Sequence, residues 1–200
     1  MSELTLTAGG GKSTTEYQKA PLGEHSAVLV DIILSENEMT NYGIKDQYYF
    51  YFEIEAKMDD GRPFLVRKKF SAPKKDSAGV RYSMSEKSNL YKFLVKWRGK
   101  PFEPGEDVAL ADLISTGCTL EIAPWTPEGG EEPIHLVDRA RKLPKKDWIK
   151  PSGEYDGDRT RERIEKYREE NNSDTPAAAT QPATQDGAAR PFEENDDVPF

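Results

Sequence analysis

Tyr48-Tyr49-Phe50-Tyr51-Phe52 puts five aromatic residues in a row. Across residues 46–57, Phe50, Phe52, Ile54 and Ala56 alternate with Tyr49, Tyr51, Glu53 and Glu55. Such a period of two belongs to extended chain, whose successive side chains point to opposite faces. The first set makes the better core face. The second, with its phenols and carboxylates, is expected to face solvent or a ligand.

The neighbouring segments extend the sheet. Residues 25–34 contain Val28, Leu29, Val30, Ile32 and Ile33, a strand by composition. Asp59-Asp60-Gly61 supplies the positive φ that a hairpin turn needs, so residues 62–70 are a third strand. A loop rich in Lys, Gly, Ser and Pro follows over residues 71–84. Ser85 is a candidate helix N-cap. Leu90, Phe93, Leu94 and Trp97 then fall on one helical stripe, which Gly99 ends and Pro101 keeps from resuming. Residues 107–115 have room for a short helical turn. Residues 118–123 alternate as a fourth strand, a loop carrying Trp125 follows, and residues 134–143 are a fifth strand. Three strands, a helix and two strands is the element order of an OB-fold, a five-stranded Greek-key barrel with one helix between strands three and four. A small α+β sandwich shares that order.

Beyond residue 150 the character changes. Residues 151–200 contain no Leu, Met or Trp. Residues 158–170 can form a short charged helix, with only Ile164 and Tyr167 to anchor it. Residues 171–190 are mostly Ala, Thr, Gln and Pro, with too little apolar surface to fold. The organisation expected is therefore a flexible N-terminal arm (1–21), an OB-fold nucleic-acid-binding domain (22–150), a disordered linker with a short helix (151–190) and an acidic tip (191–200).

Charge follows the same division. The formal net charge is −8 over 200 residues. Residues 151–200 hold 13 acids and 6 bases, net −7, whereas residues 62–100 hold 12 Lys or Arg against Asp76 and Glu86, net +10. A basic patch is thus tethered to an acidic tail, and the mean charge hides it. With 36% hydrophobic residues, no long apolar run and no basic-then-apolar leader, the chain reads as cytoplasmic. One cysteine, Cys118, excludes an internal disulfide. With His25 and His135 as its only histidines, the chain is expected to hold no metal and no cofactor.

Gly9-Gly10-Gly11-Lys12-Ser13-Thr14 imitates the end of a phosphate-binding loop. The match fails, because the first required glycine would be Leu6, and Pro21 and Gly23 interrupt the helix whose N-terminus would bind phosphate. No nucleophile–base–acid set stands out, so no catalytic residue is assigned and no enzyme activity is expected.

The strongest constellation in the body is aromatic plus basic. On an OB-fold the second and third strands form the oligonucleotide platform. There Tyr49 and Tyr51 are expected to stack bases, and Arg67 and Lys69 to meet phosphates. Lys74, Lys75, Arg81 and Tyr82 extend the patch into the loop, and Trp125 is a further stacking candidate. Stacking on an aromatic contributes about 1–3 kcal/mol per base and tolerates any sequence.

The last residues, Glu193-Glu194-Asn195-Asp196-Asp197-Val198-Pro199-Phe200, resemble the acidic tip of bacterial single-stranded-DNA-binding proteins. Those end in Asp residues, an aliphatic residue, Pro and Phe. Met58-Asp59-Asp60-Gly61-Arg62 and Trp97-Arg98-Gly99-Lys100-Pro101-Phe102 look more like small OB-type proteins encoded by phages and mobile elements. The resemblance implies that Asp196, Asp197, Val198, Pro199 and Phe200 dock replication, recombination or repair proteins. A Phe in an apolar pocket, with acids meeting Arg or Lys, gives that docking a physical basis. The reading is a protein that coats single-stranded DNA with little sequence preference and recruits partners through its tip. The alternative is an adaptor or inhibitor that binds no DNA and mimics the host's tip. The sequence leaves the oligomeric state open.

Overall fold

The structure is a computed structural model that describes residues 18–40, 43–126 and 132–173. The tip residues Asp196, Asp197, Val198, Pro199 and Phe200 lie outside these.

Five antiparallel strands form one sheet: β1 (Gly23–Thr40), β2 (Gly43–Lys57), β3 (Pro63–Ser71), β4 (Gly117–Trp125) and β5 (Ile134–Lys142). Their spatial order is β3-β2-β1-β4-β5. The sheet curls until its outer strands meet: Lys68 Nζ on β3 donates to Val137 O on β5 at 2.6 Å. Among the described residues no ladder pairs those two strands. One helix, α1 (Asn89–Arg98), follows β3 and lies against β5 and β3.

The core is what the alternation on β2 demands. Phe50, Phe52 and Ile54 are fully buried, facing the stripe of Leu90, Phe93, Leu94 and Trp97 on α1. Phe50 and Phe52 lie nearly parallel along β2, 6.4 Å apart, and across the core the rings meet at angles. Phe50 stands edge-on to Phe70 at 5.2 Å, Phe93 lies 4.9 Å from Phe70, and Trp97 lies 5.6 Å from Phe52, the geometry that ring quadrupoles favour. The Trp97 indole N–H donates to Gly117 O, so its polar edge is satisfied inside. Cys118 is buried in the same cluster, and burial pushes its thiol pKa up.

The helix starts later than the sequence suggests. Ser88, not Ser85, is the N-cap and accepts from the Tyr91 N–H. Ser85 instead sits in the preceding turn, where its carbonyl accepts from Ser88. Gly99 closes the helix in the left-handed region at φ 80°, as expected of a glycine just past a C-terminus. The short turn expected over 107–115 is the 3₁₀ turn Leu110–Leu113.

Two larger differences concern β1 and the segment after residue 150. β1 runs past its apolar stretch to Thr40, through a register shift between Ser35 and Glu38 that Asn37 accommodates at φ 56°. Residues 148–156 cross the outer face of the sheet and lead into α2 (Gly157–Ser173), which packs on β1. The first part of the expected linker is therefore an ordered layer. Its attachments are mostly polar. The Ser152 N–H and hydroxyl both donate to buried Glu53, at 2.7 Å each. Buried Asp31 accepts from the Tyr155 hydroxyl at 3.0 Å and from Arg161 Nη2 at 2.8 Å. Ile164 adds an apolar anchor against Ile33, Tyr49 and Tyr51. The chain turns toward this face tightly: a Cβ on Gly117 would come within 2.6 Å of the Trp148 ring, so only glycine lets Trp148 lie there.

Candidate nucleic-acid interface

The ladder between β2 and β3 sets Tyr49 opposite Lys69 and Tyr51 opposite Arg67, so the four side chains share the outer face of the sheet. The structure brings them together as expected but does not leave the rings open. Tyr49 is 3% exposed and Tyr51 is 6% exposed, so the expectation that they face solvent is corrected. The cause is the layer of residues 148–173. Tyr155 lies 5.8 Å from Tyr51, and Ile164 closes over both tyrosines. Tyr49 donates its hydroxyl to both oxygens of buried Glu38, at 2.9 and 2.8 Å. Desolvation, then that carboxylate, pushes its pKa far above the ordinary tyrosine value. Desolvation also raises Tyr51, against the pull of Arg67.

The cations of the patch are largely paired. Lys69 bonds Glu38. Lys75 bonds Glu36, and Arg81 bridges Glu36 at 3.2 Å and Asp46 at 2.8 Å. These acids lie on the far half of β1 and the start of β2, where they match the basic loop. Three of the twelve cations of residues 62–100 are thus met in space by acids distant in sequence.

Arg67 is exposed and has its guanidinium 5.6 Å over the Tyr49 ring. Lys74 and Tyr82 are exposed in the loop, Tyr82 at 60%. Trp125 is not a loop residue. It ends β4 opposite Ile134 and is half-buried, at the other side of the sheet from the loop of Lys74. The exposed members of the expected set are therefore Arg67, Lys69, Lys74, Lys75 and Tyr82 along β3 and its loop, with Lys69 and Lys75 held by carboxylates and Trp125 apart.

Asp46 gives this corner a pH signature. The Asn37 backbone N–H it accepts from, and then Arg81, hold its carboxyl below the ordinary 3.8. A depressed folded-state value contributes stability that is present above the unfolded value and is lost as pH falls through the folded one. Asp46→Asn is therefore expected to destabilise the chain by a constant amount from neutral pH down to about pH 5, with the gap to wild type closing below about pH 4. Urea denaturation across that range measures it, and a gap unchanged at low pH would contradict the assignment.

Each histidine meets a backbone carbonyl of the segment before β1: His25 bonds Pro21 O, and His135 bonds Ala20 O. No group of three metal-ligating side chains is present among the described residues, and none of their helices is long and apolar enough to cross a membrane. Arg161, Arg163 and Tyr155 on the layer of residues 148–173 were not singled out by sequence, because that segment lacks an apolar stripe. No protein-family model matches the chain, and no curated protein matches it.

Proposed function

We propose that this chain is a single-stranded-DNA-binding protein built on an OB-type barrel, acting stoichiometrically and without chemistry of its own. The observation that carries this reading is topological. A sheet in the order β3-β2-β1-β4-β5, curled so that β3 meets β5, with a helix between β3 and β4, is what such a barrel requires. The strand 2–3 side is where that architecture binds oligonucleotides. Here that side carries Arg67 and Lys69, continuing into Lys74 and Tyr82. In this reading phosphate contacts supply most of the affinity, and Tyr82 and Trp125 stack bases. The segment Asp196-Asp197-Val198-Pro199-Phe200 recruits replication, recombination or repair proteins.

One observation favours the rival, an adaptor that binds protein rather than DNA. Lys69, Lys75 and Arg81 already have carboxylate partners, and a cation so engaged must exchange its partner to meet a phosphate. The discriminating experiment is binding of labelled oligo-dT by the full chain. The DNA reading expects a complex at low salt that dissociates as salt rises. Absence of a complex at low salt would leave the adaptor.

A further inference from the structure

Three carboxylates hold cations of β3 and the loop after it, and they differ in how firmly they are placed. The Glu38 side chain is only 2% exposed and also accepts from the Tyr49 hydroxyl, so its hold on Lys69 is fixed from two sides. Asp46 accepts from the Asn37 N–H at 2.9 Å and pairs with Arg81 Nη1 at 2.8 Å. The Glu36 side chain is 44% exposed. Among the described residues its carboxylate meets only Lys75 Nζ and Arg81 Nη2, both through the one oxygen Oε1, with Arg81 at 3.2 Å.

Neither cation depends on Glu36 for its place. Arg81 Nη1 also donates to Pro73 O at 3.0 Å, and its guanidinium lies 6.0 Å over the Tyr48 ring. Lys75 Nζ has Asp46 at 3.7 Å. Glu36 can therefore swing into water and leave both cations where they stand. Its backbone stays pinned meanwhile, because Glu36 O accepts from Arg168 Nη1 at 3.4 Å. An anionic oxygen shared between an ammonium and a guanidinium is also the arrangement that a phosphate takes. Displacing Glu36 costs little, because an exposed ion pair contributes little. Displacing Glu38 would instead strand a buried charge. The surroundings suit a nucleic-acid strand. Lys74 and Tyr82 flank the pair, both exposed, and the Tyr82 N–H donates to Lys74 O at 2.8 Å.

We propose that Lys75 and Arg81 form a phosphate subsite on the loop after β3, which the Glu36 carboxylate fills in the free protein and a bound single strand takes over. One exposed acid thus holds this part of the DNA surface in check. This rests on the reading of the chain as a DNA-binding protein, and names a subsite of that surface and the group that regulates it.

The test uses the full-length chain and labelled oligo-dT at low salt. Glu36→Gln is expected to bind about fivefold more tightly than the parent, the upper end of what an exposed ion pair holds back. Its thermal midpoint is expected to be unchanged, because Asp46 keeps both cations in place. Asp112→Asn removes the same charge from the exposed 3₁₀ turn, so its smaller gain measures the long-range part of the effect. Adding Lys75→Gln to Glu36→Gln is expected to cancel the gain, since it removes the cation that Glu36 masks. If the parent binds and Glu36→Gln gains no more than Asp112→Asn, or binds more weakly than the parent, the occluded subsite is overturned and the DNA reading stands. A gain that survives Lys75→Gln overturns it as well. If neither the parent nor Glu36→Gln binds, both readings fall.

Discussion

Phe50→Ala is expected to destabilise the fold by about 3–5 kcal/mol, the cost of emptying a fully buried aromatic site. Phe50 is 0% exposed and touches the rings of Phe52, Phe70 and Phe93. It therefore joins β2, β3 and α1 in one contact set. Neighbouring rings cannot collapse into the void without losing their own edge-on contacts, so relaxation recovers little. A domain of this size is stable by roughly 5–15 kcal/mol, so the loss is a large share of the total. Urea denaturation followed by tryptophan fluorescence measures it through Trp97, which packs against Phe93 and Phe52. A cost below about 1 kcal/mol would mean that the β2 aromatics are not the centre of the core.

The second large effect concerns the layer over Tyr49 and Tyr51. Arg161→Ala leaves the Asp31 carboxylate, whose side chain is only 9% exposed, without its counter-ion. Breaking a buried pair from one side costs more than the pair contributes, because the remaining charge stays desolvated. Arg161 is itself half-exposed, so water can partly replace it, and a cost of about 2 kcal/mol is expected. Ile164 alone holds little apolar area, so the loss is expected to appear as detachment of α2 rather than as unfolding of the sheet. Faster amide hydrogen exchange over residues 157–173, with the β1–β2 ladder still protected, is the expected outcome. Equal acceleration in both would show that the helix and the sheet open as one unit.

Much of the architecture was legible where burial imposes a period. Phe50, Phe52 and Ile54 announced β2 and its core face. Leu90, Phe93, Leu94 and Trp97 announced α1, and Asp59-Asp60-Gly61 announced the hairpin. These signals are local and apolar, and the structure uses them as read.

The site was less legible, because what decides it is neither local nor apolar. The alternation on β2 shows that Tyr49 and Tyr51 share a face, but says nothing about what covers that face. Its cover is attached by Asp31 with Arg161 and Tyr155, and by Glu53 with Ser152. Each is a pair between residues about a hundred positions apart or more, a kind of bond that leaves no periodic trace. The charge count on residues 62–100 overstated the free cations at the β3 loop for a related reason. It could not see Glu36, Glu38 and Asp46 brought beside Lys75, Lys69 and Arg81. The extension of β1 to Thr40 left no apolar signal, since Ser35-Glu36-Asn37-Glu38 is polar. What survives from the sequence reading is the basic edge of β3, with Arg67 at its centre. What the structure adds is that α2 packs on β1 and covers Tyr49 and Tyr51.

The most direct measurement is the affinity of the full chain for 5′-labelled oligo-dT, read by fluorescence anisotropy over a series of salt concentrations. Binding at low salt is expected, with a straight decline of log K against log salt and a slope near −0.7 for each phosphate contacted. No binding at the lowest salt, or binding that salt does not weaken, would contradict it.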